Sequence, residues 1–319
     1  MPRLRSERLD VDATPYYHLV SRCVRRAFLC GTDPHTGKDF EYRRGWVEER
    51  LFALTQIFSV DLHAYAVMSN HVHLVVRVDK DRAERWSDRE VIRRYGKLFR
   101  NKPGELAALP AHEKKARIAT WRERLWSLSW LMRCLNEHIA RRANAEDDCT
   151  GHFWEGRFSC QPLLDEAALL ACMAYVDLNP VRAGLAKSLE SSAHTSIQKR
   201  LRATTKSSPR GLTPFTDQVP ASSRRTTAPI DFVAYLELLT WTGRALRGAR
   251  LRHPPQLLAE LRINNTAFLA MMKSHGLRSR GVLGRREQVD AFAADKGRRW
   301  VLGTAQARAL FLSAPARAL

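Results

Sequence analysis

The chain has 319 residues, 45% of them hydrophobic, with 53 Lys and Arg against 33 Asp and Glu, a net charge of +20. That is a globular composition with room for one large domain or two ordinary ones, and the excess of positive charge favours a polyanionic partner, nucleic acid first. No apolar run has the length of a membrane span, Met1-Pro2-Arg3-Leu4-Arg5 lacks the apolar core of a signal peptide, and the cysteines at 23, 30, 134, 149, 160 and 172 form no Cys-x-x-Cys pair. These features argue against a membrane protein, a zinc ribbon and a disulfide framework, and the expectation is a cytoplasmic, nucleoid-associated protein.

Tyr16 to Val24 alternates β-forming residues and predicts a strand. A loop follows through Arg25, Arg26 and the Gly31 to Gly37 stretch, then a helix over 45–58 with Trp46, Leu51, Leu54, Ile57 and Phe58 near helical spacing. Residues 62–78 read as a hairpin with a Met68-Ser69-Asn70 turn. His71 and His73 open its second strand, and side chains at i and i+2 share a face. Two neighbouring imidazoles suit a divalent metal; equally, they can lie on a half-exposed strand and bind nothing.

From Asp79 to Arg124 the pattern is less distinct. An amphipathic helix over 88–99 is expected to stop near Pro103-Gly104, and a charged helix over 106–124 reads as a solvated face or a DNA contact. Ser127 to Asn144 predicts a helix with the apolar stripe Leu128, Leu131, Met132, Leu135 and Ile139, and with Arg133, Arg141 and Arg142 on other faces. The Gly151 to Phe158 segment mixes His152, Trp154 and Arg157: such a mix stacks bases and holds phosphate, or makes a packing turn into a strand over 158–164. Cys149 and His152 have a Cys-x-x-His spacing with no second pair to complete a zinc site.

Asp165 caps a further apolar helix that carries Tyr175 and, four residues on, Asn179, with Pro180 marking its end. Taken alone, Tyr175 reads as core and Asn179 as a cap. Residues 201–229 have a flexible basic linker composition, and 230–319 predict short helices with a second arginine-rich region (Arg244, Arg247, Arg250, Arg252, Arg278, Arg280, Arg285, Arg286). The expected organisation is a catalytic domain over 1–200, the linker, and a helical accessory domain over 230–319.

Laying the helix with Tyr175 and Asn179 across the sheet with His71 and His73 assembles two imidazoles, an amide oxygen and a phenol. Two nitrogens and one oxygen leave open positions on Mg²⁺ or Mn²⁺ for phosphate oxygens, and the phenol is then a reasonable nucleophile. The stretch Tyr65-Ala-Val-Met-Ser-Asn-His-Val-His-Leu-Val-Val resembles the histidine–bulky–histidine motif of single-tyrosine HUH transposases. Tyr175-Val-Asp-Leu-Asn-Pro-Val-Arg-Ala-Gly resembles the tyrosine helix of their REP-associated branch, and Tyr16-Tyr-His-Leu-Val-Ser-Arg and Gly151-His-Phe-Trp-Glu-Gly-Arg-Phe resemble its opening strand and pre-tyrosine segment. The match runs over about 14–197; the segment after His73 is longer than in compact members, and the tail lies outside it.

The resemblance implies an α+β fold, a central antiparallel sheet flanked by helices. It implies Tyr175 as nucleophile and His71, His73 and Asn179 as ligands of Mg²⁺ or Mn²⁺. Arg157, Arg182, His152 and Trp154 are the DNA-contact candidates. The implied activity is that of a DNA strand-transferase or endonuclease. It would cut and rejoin single-stranded DNA near hairpins through a 5′-phosphotyrosine, working as a monomer or homodimer. The competing readings are a hairpin-binding regulator that has lost the chemistry and a metal-dependent hydrolase without a covalent step.

Overall fold

The computed structural model describes residues 9–24, 29–32, 37–99, 102–203, 208–220, 227–251, 253–274 and 281–312. Met1 to Arg5, Arg25, Arg26, part of the Gly31 to Gly37 loop, Arg252, Arg278 and Arg280 lie outside them. Alternating β-formers make β1 (Tyr16–Arg22). The expected hairpin forms as β2 (Val60–Val67) and β3 (His71–Val78), its turn closed by the Met68 N–H donating to the His71 carbonyl at 2.9 Å. With β4 (Ser159–Leu163) these strands form a sheet in the order β2-β3-β1-β4, antiparallel throughout.

The helices up to β4 are α1 (Arg43–Thr55), α2 (Lys80–Glu84), α3 (Asp88–Leu98), α4 (Lys102–Ala107), α5 (Ala111–Trp126) and α6 (Leu128–Glu146). After β4 come α7 (Glu166–Asp177), α8 (Asn179–Arg182), α9 (Ser196–Arg202), α10 (Phe232–Leu246), α11 (Gln256–Glu260), α12 (Asn265–Lys273), α13 (Arg286–Asp295) and α14 (Thr304–Leu310). The class is α+β, a central antiparallel sheet flanked by helices, with a helical C-terminal region. No described helix is long and apolar enough to cross a membrane.

Alternation along the strands divides the sheet into two faces. Tyr17 and Leu19 of β1 and Val72, Leu74 and Val76 of β3 join one core with α1 and α6. The α6 stripe Leu128, Leu131, Met132, Leu135 and Ile139 is buried there as expected, each such side chain contributing about 2 kcal/mol by leaving water. Arg43, fully buried, ties α1 to the end of α6 through Glu146 and Asp147. The opposite face, with Ala64, Ala66 and Val75, carries α7 and the C-terminal helices. A register shift between Leu62 and Ala64 makes this division possible. The extra residue, His63, reverses which side chains face which core, so Leu62 and Tyr65 point one way and Ala64 and Ala66 the other.

The amphipathic helix α3 ends at Leu98, ahead of Pro103-Gly104 as expected. A separate short helix, α4, then contains both residues, and Pro103 lies in its first turn, where a missing N–H breaks no helical bond. The charged helix of the 106–124 region, α5, has the expected solvated face and a buried one opposite it. Ile118, Trp121 and Leu125 of α5 are buried, and Trp121 stacks on Tyr95 of α3 at 4.4 Å between ring centroids.

Within 201–229, Leu212, Phe215 and Ala228 are buried, and the Thr213 N–H donates to the Leu62 carbonyl at 2.8 Å. Phe215 packs between Phe232 and Tyr235, both at 5.2 Å. Residues 204–207 and 221–226 of this segment lie outside the described residues.

Candidate active site

The odd-numbered positions of β3 place His71 and His73 on the α7 face, their rings 4.7 Å apart. Antiparallel register brings two further polar side chains to that face. On β1, Val20 lies opposite His73, so His18 is diagonal to His73; on β4, Gln161 is directly opposite His18. The result is a row from Gln161 through His18 and His73 to His71, across three strands.

The hydrogen bonds fit one set of tautomers. With Gln161 Oε1 as the acceptor 3.4 Å from His18 Nδ1, His18 carries its proton on Nδ1. His18 Nε2 therefore accepts, and His73 Nδ1, 2.9 Å away, donates. His71 Nδ1 likewise donates to Asn70 Oδ1 at 2.6 Å. Both hairpin histidines thus keep a bare lone pair on Nε2, and His73 Nε2 is buried without a hydrogen-bond partner among the described residues. Burial, followed by neighbouring positive charge and the other imidazoles, pushes the His71 pKa down to about 4 and that of His73 well below its ordinary value. Burial brings His18 to about 4. All three are neutral near pH 7.

Tyr175 stands edge-on above this row, 6.0 Å from the His73 ring and 6.4 Å from the His18 ring, and is 2% exposed. Asp165 fixes the start of its helix by accepting the Ala168 N–H at 2.8 Å. The helix breaks at Leu178, one residue earlier than Pro180 suggests, and Asn179 opens α8 with Pro180 in the first turn. Leu178 keeps near-helical angles, so Asn179 remains one turn beyond Tyr175. The Arg182 guanidinium lies 4.7 Å from the Tyr175 ring centroid, donating to Asn179 Oδ1 at 2.6 Å and to the Ser274 carbonyl at 3.0 Å.

The structure therefore brings together His71, His73, Tyr175, Asn179 and Arg182. It does not bring the 151–158 segment into that cluster. Trp154 is half-buried, its indole N–H donating to the Asn136 carbonyl of α6 at 2.9 Å, while His152 and Arg157 are exposed. This segment pairs with the end of β1 through Cys23 and Trp154, next to Arg22, the register partner of His71.

Among the described residues no group of three or more His, Cys, Asp or Glu is placed to hold a metal. The candidate donors are two imidazole Nε2 atoms and the Asn179 amide oxygen. That oxygen has two lone pairs, so one remains beside the Arg182 bond. The Nδ1 hydrogen bonds of both imidazoles are the kind that orient metal-binding histidines.

Sequence reading missed His18, Gln161 and Asp177. Asp177 is fully buried and accepts from Ser196 Oγ, from the Ile197 N–H at 2.9 Å and from the Tyr235 hydroxyl at 2.7 Å. It fastens the tyrosine helix to α9 and α10. Burial raises its pKa against those hydrogen bonds and the Arg200 charge. The available signal was an aspartate in an otherwise apolar helix, a residue type that is rarely buried without partners.

No family model and no curated protein matches the chain. A solved structure described as "Structure of the REP associates tyrosine transposase bound to a REP hairpin" is similar at 12% identity, over 66% of this chain and 90% of that one, with a TM-score of 0.35. A likeness that distant adds nothing to the geometry above.

Proposed function

We infer that the protein is a metal-dependent single-stranded DNA transposase or nickase that cuts and rejoins DNA near hairpins through Tyr175. The observation that supports this most is the paired arrangement of His71 and His73: each Nδ1 is engaged and each Nε2 is bare, directly beneath a tyrosine. The net charge of +20 suits a nucleic-acid substrate. Mg²⁺ or Mn²⁺, when bound by His71, His73 and Asn179, supplies positive charge to phosphate oxygens. The Tyr175 hydroxyl attacks the scissile phosphorus: a Tyr–O–P bond forms, the P–O3′ bond breaks, and a free 3′-OH leaves a 5′-phosphotyrosine. Arg182, already over the phenol ring, stabilises the charge that develops on the phosphoryl group. Incubating labelled hairpin DNA with and without divalent metal tests this, with metal-dependent strand cleavage expected.

The second reading is a regulator that binds hairpin DNA without cutting. Tyr175 is 2% exposed, with the Arg182 guanidinium over its ring and bonded to Asn179 Oδ1, so this cover must move before a scissile phosphate reaches the phenol. Hairpin binding without cleavage in any divalent metal would select this reading.

A further inference from the structure

Away from the histidine row, a cleft of about 540 Å³ opens between α1, the end of α3 and one face of α6. Four arginines line it, Arg50, Arg133, Arg141 and Arg142, against the single carboxylate of Glu137. Arg133, Glu137 and Arg141 are spaced four apart and stand in line on α6. Glu137 pairs with Arg133 at 3.4 Å and more closely with Arg141, which spreads two guanidiniums along one wall. Leu98 and Phe99 from the α3 end form the apolar wall.

The guanidiniums are backed by indoles. Arg142 lies 3.9 Å from the Trp46 ring centroid and Arg133 lies 5.0 Å from that of Trp130. Both arginines are exposed. A guanidinium stacked on one side is held flat, with its other face open to a base and its edges open to phosphate. A merely solvated helix face needs neither the aromatic backing nor a concave apolar wall. A volume of about 540 Å³ is on the scale of a nucleotide unit. Across α6, Asn136 donates to Ser21 Oγ at 2.8 Å and its carbonyl accepts from Trp154. Ser21 points to the α6 face of the sheet and precedes Arg22, the register partner of His71, so α6 and the sheet itself lie between the cleft and the histidine row, and a strand joining the two passes around the end of β1.

We propose that the cleft between α1, α3 and α6 binds the single-stranded DNA flanking the hairpin, with Arg133, Arg141 and Arg142 on phosphate and Phe99 against a base. This rests on the DNA-binding half of the proposed function and not on chemistry at Tyr175. The cleft selects a substrate with an unpaired tail, and Glu137 limits its affinity by competing with phosphate for two of the guanidiniums.

The test is fluorescence anisotropy in EDTA, using one labelled DNA hairpin with a single-stranded tail and its blunt counterpart. The full-length wild type is compared with the combined Arg133→Ala, Arg141→Ala, Arg142→Ala variant and with Glu137→Gln. The expected results are tighter wild-type binding of the tailed hairpin, at least about a tenfold loss of that binding in the triple variant, and unchanged blunt-hairpin binding. The slope of log affinity against log salt falls by about 0.7 for each phosphate that the variant no longer neutralises. Glu137→Gln binds the tailed hairpin more tightly. Thermal melting verifies that the variants fold. Equal binding of both hairpins by wild type and triple variant, or equal losses on both, overturns the proposal. Covalent-product formation at saturating DNA is scored separately. If wild type forms no adduct yet the tail-specific loss appears, the tyrosine chemistry fails while the cleft stands; an adduct without tail-specific loss gives the reverse.

Discussion

His73 Nδ1 lies 2.9 Å from His18 Nε2, and this one hydrogen bond decides which nitrogen of His73 is left for other work. His18 in turn is held by Gln161. His18 is therefore a positioning residue for His73. His18→Ala should weaken Mn²⁺ binding by about 10- to 100-fold, the usual effect of losing such a partner. Isothermal titration of wild type and variant measures it. Unchanged affinity would mean the His73 ring is fixed by packing alone.

Removing a ligand differs from misorienting one. His71→Ala or His73→Ala should abolish metal-dependent cutting while hairpin affinity in EDTA stays within a few-fold of wild type. Cleavage and anisotropy on the same DNA separate the two effects. Wild-type cutting by either variant would exclude that histidine from the metal set.

Buried neutral histidines set an acid limit on stability. Burial lowers the pKa of His18 and His71 to about 4 and of His63 to about 3, and holds His73 well below its ordinary value. A folded pKa below the unfolded 6.5 means that the unfolded chain binds more protons. The stability these groups contribute is present above pH 6.5 and is lost as pH falls toward 4 and below. Each histidine should cost about 1.4 kcal/mol per pH unit in that window. Asp177, with its raised pKa, acts in the opposite sense as pH rises through its folded value. Urea unfolding in EDTA between pH 7 and about 4.5 should show a steep fall; a flat profile would contradict the burial of the histidine row.

Asp177 links the tyrosine helix to Ser196 and Tyr235. Asp177→Ala leaves the Ser196 and Tyr235 hydroxyls and the Ile197 N–H without their buried acceptor and should cost about 3–5 kcal/mol. Tyr235→Phe removes one charge-assisted hydrogen bond and should cost about 1.5–3 kcal/mol. Chemical denaturation of both variants provides the comparison. Losses of a few tenths of a kcal/mol would mean that α10 does not brace α7.

The hairpin, the α6 stripe and the Asp165 cap were legible because each depends on local periodicity or a local hydrogen bond. His71 and His73 were legible as a pair for the same reason. His18 and Gln161 were not: they meet His73 through strand register, which alternation along one strand does not encode. The bulge at His63 reverses the facing of β2 with no Gly or Pro to announce it. The short helix α4 was not legible because a first-turn proline and a terminating proline look alike without the helix that follows. Phe215 lies in a Ser-, Thr- and Pro-rich stretch whose composition conceals its packing against Phe232 and Tyr235.

The most direct test of the central claim is to incubate the protein with single-stranded hairpin DNA and Mn²⁺, denature it, and map the DNA-bearing peptide by mass spectrometry, with Tyr175→Phe in parallel. The account predicts a covalent 5′-phosphate adduct on the peptide containing Tyr175, present in wild type and absent from the variant. Tight hairpin binding with no adduct, or an adduct that persists in Tyr175→Phe, would contradict it.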